Sequence, residues 1–289
     1  CMRIVTWNVN SLRARMPRFV PWLIERKPDV VCLQETKLTD DAFDALVHNA
    51  LTDLGYEYAH HGQGRWNGVA IVSRVGLTDV QRGLANEPGF PDPATLEARA
   101  ITATCNDIRI ACVYVPNGRE PDDPHYQYKL AWLRALTEHT STLGPTAIVC
   151  GDINIAPTDV DVFDAAMFEG HTHVTQPERG ALADLMSRGL RDVVRDTWPD
   201  ERVFSFWDYR AGMFHQDLGM RIDLVLATSP VADRVAAAWI DRGARKGTSP
   251  SDHAPVVVDL DTAYDGAIGP VVPPPSQPPG RSRRPPRRR

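Results

Sequence analysis

The sequence predicts a single α/β domain built as two stacked mixed sheets with helices on the outside. Three observations lead there. Strand-like and helix-like segments alternate from Met2 to about Leu260 with no low-complexity linker between them. Several strands follow one another directly, at 56–61, 67–74, 98–105 and 107–115, which requires hairpins as well as crossovers and disfavours a doubly wound parallel sheet. An internal echo relates the two halves: Val5-Thr6-Trp7-Asn8-Val9-Asn10 and Val149-Cys150-Gly151-Asp152-Ile153-Asn154 each end an apolar run in an Asn/Asp-x-Asn pair. Period 2 puts the paired polar side chains on one face of a strand end. A pseudo-two-fold relation would then bring the two ends together across a cleft between sheets.

The strands are β-branched or apolar runs bounded by turn or polar residues, at 3–10, 29–35, 68–74, 98–105, 109–115, 146–152, 221–228 and 254–260. The clearest helix follows the acidic start Asp40-Asp41, where Phe43, Leu46, Val47, Ala50, Leu51 and Leu54 recur at helical spacing. A second begins near Asp123-Pro124 and runs through Leu130, Leu133 and Leu136. Short-period repeats are absent, which disfavours a solenoid. The domain spans 2–264, followed by a tail at 265–289.

With 289 residues, 43% hydrophobic and 24% charged, the chain has ample material for a core, and disorder over most of its length is excluded. No apolar run approaches the roughly 18–20 residues of a membrane span, and charge returns too early, at Arg13 and Arg15, for a signal peptide. The five cysteines form no Cys-x-x-Cys pair and sit mostly in apolar runs. Free thiols in a reducing cytoplasm are therefore expected, as is a monomer with no membrane partner.

Charge is uneven: the last twenty residues hold six arginines, eight prolines and no acid, leaving a body of 26 basic and 37 acidic residues. Such a body does not bind nucleic acid through bulk charge. Polyanion binding needs a local basic face, cations screening a carboxylate cluster, or the tail, which reads as a polyproline-II segment with a basic end able to add non-specific nucleic-acid contact.

Acids and amides gather at strand ends: Asn8, Asn10, Glu35, Asp152, Asn154, Asp223 and Asp252. Each alone is an ordinary turn former; together they would be costly to bury unpaired. A hard divalent cation takes oxygen ligands, and Mg²⁺ uses one or two carboxylates plus a substrate phosphate. Glu35 and Asp252 suit that role, with Asn8, Asp152 and Asn154 nearby. His253, flanked by Asp252 and leading into an apolar strand, becomes an acid-paired imidazolium if Asp223 orients it. No Gly-x-Ser-x-Gly elbow, Walker A loop or Cys/His zinc pattern appears. The inventory supports phosphoester hydrolysis by a Mg²⁺-activated water.

The segments Trp7-Asn8-Val9-Asn10-Ser11-Leu12-Arg13-Ala14, Leu33-Gln34-Glu35-Thr36-Lys37, Asn67-Gly68-Val69-Ala70-Ile71, Tyr114-Val115-Pro116-Asn117-Gly118, Gly151-Asp152-Ile153-Asn154-Ile155-Ala156-Pro157, Arg221-Ile222-Asp223 and Ser251-Asp252-His253-Ala254-Pro255 stand in order along the chain. In them the sequence resembles the exonuclease III family of apurinic/apyrimidinic (AP) endonucleases, within the endonuclease/exonuclease/phosphatase superfamily. The resemblance implies a four-layer, DNase I-like α/β sandwich, with the site at one edge of its two sheets. It also implies Mg²⁺- or Mn²⁺-dependent cleavage of duplex DNA 5′ to an abasic site, leaving a 3′-hydroxyl, with 3′–5′ exonuclease and 3′-end-cleaning activities in many members. By position, Glu35 would be the principal metal ligand, with Asn8 and Asp252 in the same cluster and Asp152 and Asn154 sometimes counted. Asp152 would orient and deprotonate the attacking water, Asn154 would stabilise the transition state, and Tyr114 and Asn117 would hold the scissile phosphate. His253, paired with Asp223, would contact that phosphate. Phe206, Met220 and Ile222 match the positions lining the abasic-sugar pocket, and Arg13, Arg15, Arg65, Arg119 and Lys129 lie in or beside the motif loops, where they would grip flanking phosphates.

The sequence departs from the family pattern in places. Asn10 and Met220 stand where some members have Asp and Trp, and Asp217 occupies a slot of neutral amides, where its charge would weaken a phosphate contact. Two other readings remain: a superfamily phosphatase or nuclease with an RNA or phosphoinositide substrate, and a non-catalytic DNA-binding relative.

Overall fold

The computed structural model describes residues 1–264; the tail expected at 265–289 lies outside the described residues. Among the described residues, twelve strands form two six-stranded sheets. They are β1 (Met2–Asn8), β2 (Val30–Gln34), β3 (Glu57–His61), β4 (Val69–Ser73), β5 (Thr78–Arg82), β6 (Ala100–Cys105), β7 (Ile108–Tyr114), β8 (Ala147–Asp152), β9 (Leu190–Asp192), β10 (Asp223–Thr228), β11 (Val235–Ile240) and β12 (Val256–Leu260). One sheet runs β11-β12-β1-β2-β4-β3 and the other β5-β6-β7-β8-β10-β9. The halves echo each other in pairing: β1 lies antiparallel to β12 and parallel to β2, while β8 lies antiparallel to β10 and parallel to β7.

Alternation along each strand builds the layers. Ile4, Val30, Cys32 and Ile71 face Ile110, Cys112, Ile148 and Val225 in the core between the sheets. Their neighbours Val5, Trp7, Val31 and Leu33 point outward and are covered by α1 (Leu12–Arg26) and α2 (Asp40–Asp53) through Phe19, Trp22, Phe43 and Val47. On the other sheet Ala111, Val149, Leu224 and Leu226 are covered by α3 (Pro124–His139) and α4 (Gln176–Met186) through Trp132, Leu133, Leu136, Leu182 and Leu185. These are the four layers of helix, sheet, sheet and helix. No described helix is long and apolar enough to cross a membrane. The four cysteines at 32, 105, 112 and 150 are buried free thiols.

Caps start α2 and α3 where the sequence signals them: Thr39 accepts from the Ala42 N–H and Asp123 from the His125 N–H. The sequence reading did not contain α1, whose segment carries Pro17 and Pro21 inside the helix and breaks the usual helical signals. The edge strand β5, exposed along its whole length, and the three-residue β9 also carry no readable alternation.

Candidate active site

Period 2 aims one row of each central strand into the space between the sheets, and at one edge that row turns polar. Asn8 continues the row of Ile4, Asp152 that of Ile148 and Cys150, Asp223 that of Val225, and Tyr114 that of Ile110 and Cys112. Antiparallel pairing sets Asp223 directly opposite Asp152, and parallel pairing sets Tyr114 beside it. Four strands thus deliver their polar ends to one place.

The first run ends sooner than its alternation suggests. Asn10 is not a strand residue in register with Asn8: its φ is 43° and that of Ser11 is 82°, so the chain turns away in left-handed conformations after the strand. Asn154 does the same after β8, with φ 54°. Each turn is closed alike, with the Asn10 N–H donating to Asn8 Oδ1 at 3.0 Å and the Asn154 N–H to Asp152 Oδ1 at 3.1 Å.

A continuous hydrogen-bonded chain links the two sheets. Asn8 Nδ2 donates to Glu35 Oε1 and to Asp152 Oδ2, both at 2.9 Å. Lys37 Nζ bridges Glu35 Oε2 (2.9 Å) and Asn10 Oδ1 (2.6 Å), and Asn10 Nδ2 reaches Asp252 Oδ1 at 3.0 Å. On the other side His253 Nε2 lies 3.7 Å from Asp152 Oδ2 while its Nδ1 meets Asp223 Oδ2 at 2.8 Å. Ser205 Oγ donates to the same Asp223 oxygen at 2.6 Å.

Burial and charge tune these groups against each other. Burial opposes charging the His253 ring, but Asp223 and Asp152 outweigh it and lift the imidazole to about 10. His253 is therefore a cation at neutral pH, held between two carboxylates. Asp152 is raised, chiefly by its own burial and secondarily by Asp223, against the pull of His253. Glu35 is half-buried, and although desolvation opposes its ionisation, Lys37 and the Asn8 amide hold its carboxyl below the usual range. Burial and the nearby Glu35 keep the Tyr114 phenol protonated and able to donate.

Donor chemistry separates two possible cation positions. Asp152, Asp223 and His253 bring ligand atoms within 4.8 Å of one another, but His253 spends Nδ1 on Asp223 and is protonated, so its ring offers a cation no lone pair. Glu35, Asp252, Asn8 and Asn10 offer oxygens only, and Glu35, Asp252 and Asn10 are partly open to solvent. That set fits a hard divalent cation.

Asn154 stands on the other flank. Its Oδ1 accepts from Asn117 Nδ2 at 3.3 Å and contacts His173 Nε2 at 3.2 Å, and its Nδ2 donates to the Val115 carbonyl. Its side-chain partners are thus Asn117, His173 and the Val115 carbonyl, on the flank away from Glu35. Phe206, Met220 and Ile222 do come together, in an apolar cluster with Ala156 and Val162 apart from the main cores, and the Phe206 ring lies 4.9 Å from that of His253. Arg13 is exposed on the first turn of α1 and Arg65 and Arg119 are exposed on loops, and Arg15, also on α1, reaches the Tyr209 hydroxyl at 3.2 Å.

Lys129 is a correction. Its side chain is fully buried, its Nζ bound to Glu178 Oε1 (2.5 Å) and to the carbonyls of Asn154 (2.7 Å) and Asn117 (3.1 Å). An ammonium with all its donors spent inside the protein does not grip DNA; it ties together the two loops carrying those asparagines. Asp217 is likewise compensated: it accepts from Trp207 Nε1 and pairs with Arg242 at 3.2 Å. The sequence reading missed His173 and Ser205, which stand in loops without pattern, and gave no role to Lys37, whose spacing of two from Glu35 was its available signal.

Comparison with known proteins agrees with this architecture. The family model described as the endonuclease/exonuclease/phosphatase family matches residues 5–253. The chain is 30% identical over 272 residues to exodeoxyribonuclease III of Haemophilus influenzae, covering 88% of this chain and 98% of that relative. It is 29% identical over 260 residues to an exodeoxyribonuclease of Bacillus subtilis, with the same coverage. Among solved structures it resembles the Neisseria 3′ phosphatase NExo bound to a product DNA hairpin (37% identity, TM-score 0.86, covering 91% of this chain and all of that one). It also resembles an AP endonuclease from Archaeoglobus fulgidus (36%, TM-score 0.84, 91% and all). With its motifs assembled at one edge of two packed sheets, the chain is an enzyme of the endonuclease/exonuclease/phosphatase family, in its exodeoxyribonuclease III and AP endonuclease branch.

Proposed function

We propose that the protein is a DNA-repair phosphodiesterase, dependent on Mg²⁺ or Mn²⁺, that cleaves duplex DNA 5′ to an abasic site and leaves a 3′-hydroxyl, with 3′–5′ exonuclease and 3′-phosphodiesterase activity. The observation that carries this reading is the hydrogen-bonded chain from the Glu35–Asp252 oxygen cluster through Asn8 to Asp152, continued by the 3.7 Å ion pair to His253 and its bond to Asp223.

Glu35 and Asp252, with Asn8 beside them, would hold the divalent cation, which when bound would supply Lewis acidity to the reacting phosphate. Asp152 holds a water by the carboxylate oxygen that faces His253, and takes its proton as the water oxygen bonds to phosphorus. The P–O3′ bond breaks, freeing the 3′-oxygen of the upstream nucleotide. The His253 cation, Asn117 and the Tyr114 hydroxyl place positive charge and donors around the phosphate oxygens as charge builds there. Asp223 fixes the ring through Nδ1, so that Nε2–H faces the reacting group. A sugar lacking its base is small enough to lie against Phe206, Met220 and Ile222, which offer shape and no base-edge hydrogen bonds.

A second reading, in which 3′-phosphate removal outweighs nicking at internal abasic sites, is favoured by the likeness to the Neisseria 3′ phosphatase. One experiment addresses both. An end-labelled duplex with one abasic analogue, an intact duplex and a 3′-phosphate duplex are incubated with Mg²⁺ and with EDTA. Mg²⁺-dependent nicking immediately 5′ of the lesion supports the first reading and selective loss of the 3′-phosphate the second. No reaction by folded protein with metal present overturns both.

A further inference from the structure

Glu35 sits in a turn that needs holding. Its φ is 53° and that of Lys37 is 55°, two non-glycine residues in the left-handed region on either side of Thr36. Such conformations persist only where the surroundings impose them. Backbone bonds supply part of the restraint, from the Thr36 N–H to the Gly68 carbonyl (3.1 Å) and from the Lys37 N–H to that of Asn67 (2.9 Å).

A side-chain relay supplies another part. Thr36 is completely buried, and its Oγ1 lies 2.8 Å from His60 Nε2. His60, on β3, stacks on Phe43 with ring centroids 4.0 Å apart and planes 10° apart, and its Nδ1 meets Asp40 Oδ1 at 2.8 Å. The same Asp40 oxygen accepts the Gly62 N–H at 2.9 Å. Asp40 is the first residue of α2, three residues after Lys37, so the relay closes the 36–40 loop upon itself. Behind Thr36 there is no slack, since a Cβ on Gly68 would lie 2.1 Å from Oγ1. With Nδ1–H committed to the Asp40 carboxylate, Nε2 carries the lone pair and accepts the Thr36 O–H. Burial keeps the ring neutral, its pKa pushed down to about 4, which preserves that acceptor.

We propose that Asp40, His60 and Thr36 form a positioning relay that holds the Glu35–Lys37 turn and thereby sets the affinity of the site for its divalent cation. The inference rests on the metal site of the proposed function. None of the three touches substrate or cation in that scheme; they act through Glu35, as outer partners of metal ligands do, where a substitution typically costs about 10–100-fold in affinity.

Mn²⁺ binding to the metal-free, DNA-free protein, followed by the paramagnetic resonance of free Mn²⁺, tests it without recourse to activity. His60→Asn keeps a donor near Asp40 but loses Thr36, and Thr36→Val removes the hydroxyl at constant shape; each is expected to weaken Mn²⁺ binding about tenfold. His60→Gln, which places an amide near Nε2, restores most of it, and the double variant His60→Asn/Thr36→Val is no weaker than either single one. Asp40→Asn, at an exposed position that does not threaten folding, loosens binding about threefold in the same direction. Unchanged affinity in Asp40→Asn and the folded buried-site variants overturns the relay, as does a strictly additive double variant. Failure of the wild-type chain to bind Mn²⁺ removes the metal reading itself, and the relay with it.

Discussion

Asn8 Nδ2 donates to Asp152 Oδ2 at 2.9 Å, and this bond joins equivalent positions of the two halves of the chain. Each is the last residue of its strand, each accepts from the N–H two residues further on, and each is followed by a left-handed asparagine. One half contributes an amide and the other an acid, so the pair bonds where two acids would repel. The proposed metal side and the proposed water-activating side of the site therefore meet at the contact between the two halves.

Asp152→Asn preserves shape but removes the carboxylate proposed to take the proton from water. Turnover is expected to fall by about 10²–10⁴-fold while equilibrium binding of an abasic duplex stays nearly unchanged. Single-turnover incision alongside fluorescence anisotropy measures both, and surviving activity would exclude Asp152 as the base.

Lys129 and Glu178 form a buried pair with both side chains at 0% exposure, so removing one charge strands the other. Lys129→Met or Glu178→Gln is expected to cost about 3–5 kcal/mol of stability, and the double variant Lys129→Met/Glu178→Leu less than the single ones combined. Urea unfolding checks this. Where a variant stays folded, the salt dependence of its DNA binding should match wild type, because Lys129 reaches no phosphate.

His60 and His125 are buried, and burial pushes both imidazoles down to about 4. Between that value and about 6.5 the unfolded chain takes up protons that the folded chain refuses. Their contribution to stability is thus complete above about pH 6.5 and lost as the pH falls toward 4. His125→Asn keeps an acceptor for the Gly118 N–H, which His125 Nδ1 accepts at 3.1 Å, but binds no proton. Thermal melts from pH 7 to 4 should show a shallower fall in Tm for this variant, and an identical slope would refute the assignment.

Phe206 packs beside both Met220 and the His253 ring. Phe206→Ala is expected to lower kcat/KM on an abasic duplex roughly tenfold, with a smaller loss on 3′-terminal phosphates that place no sugar in the pocket. Equal losses on both substrates would indicate a general disturbance of His253.

Six arginines within the last twenty residues should add phosphate contacts. A 1–269 truncation is expected to flatten the dependence of DNA affinity on salt concentration, and an unchanged slope would leave the tail without a role in binding.

The alternation of the central strands was legible in the sequence, and with it the row on which Asn8, Asp152 and Asp223 fall, because period 2 is a local property of the backbone. So were the starts of α2 and α3, where capping side chains act within three residues of their targets. The family resemblance carried by the seven motifs implied a site at one edge of two packed sheets, where the structure gathers Asn8, Tyr114, Asp152 and Asp223. Tertiary packing set which way Lys129 points, that His173 meets Asn117 and Asn154, that Arg242 answers Asp217, and that Asn10 turns out of its strand to join Lys37 and Asp252. Those outcomes depend on partners 19 to 242 residues away, chosen by which charges burial leaves uncompensated when the sheets close. A loop charge reads the same in sequence whether it faces solvent or, like Lys129, is drawn inward by a buried carboxylate.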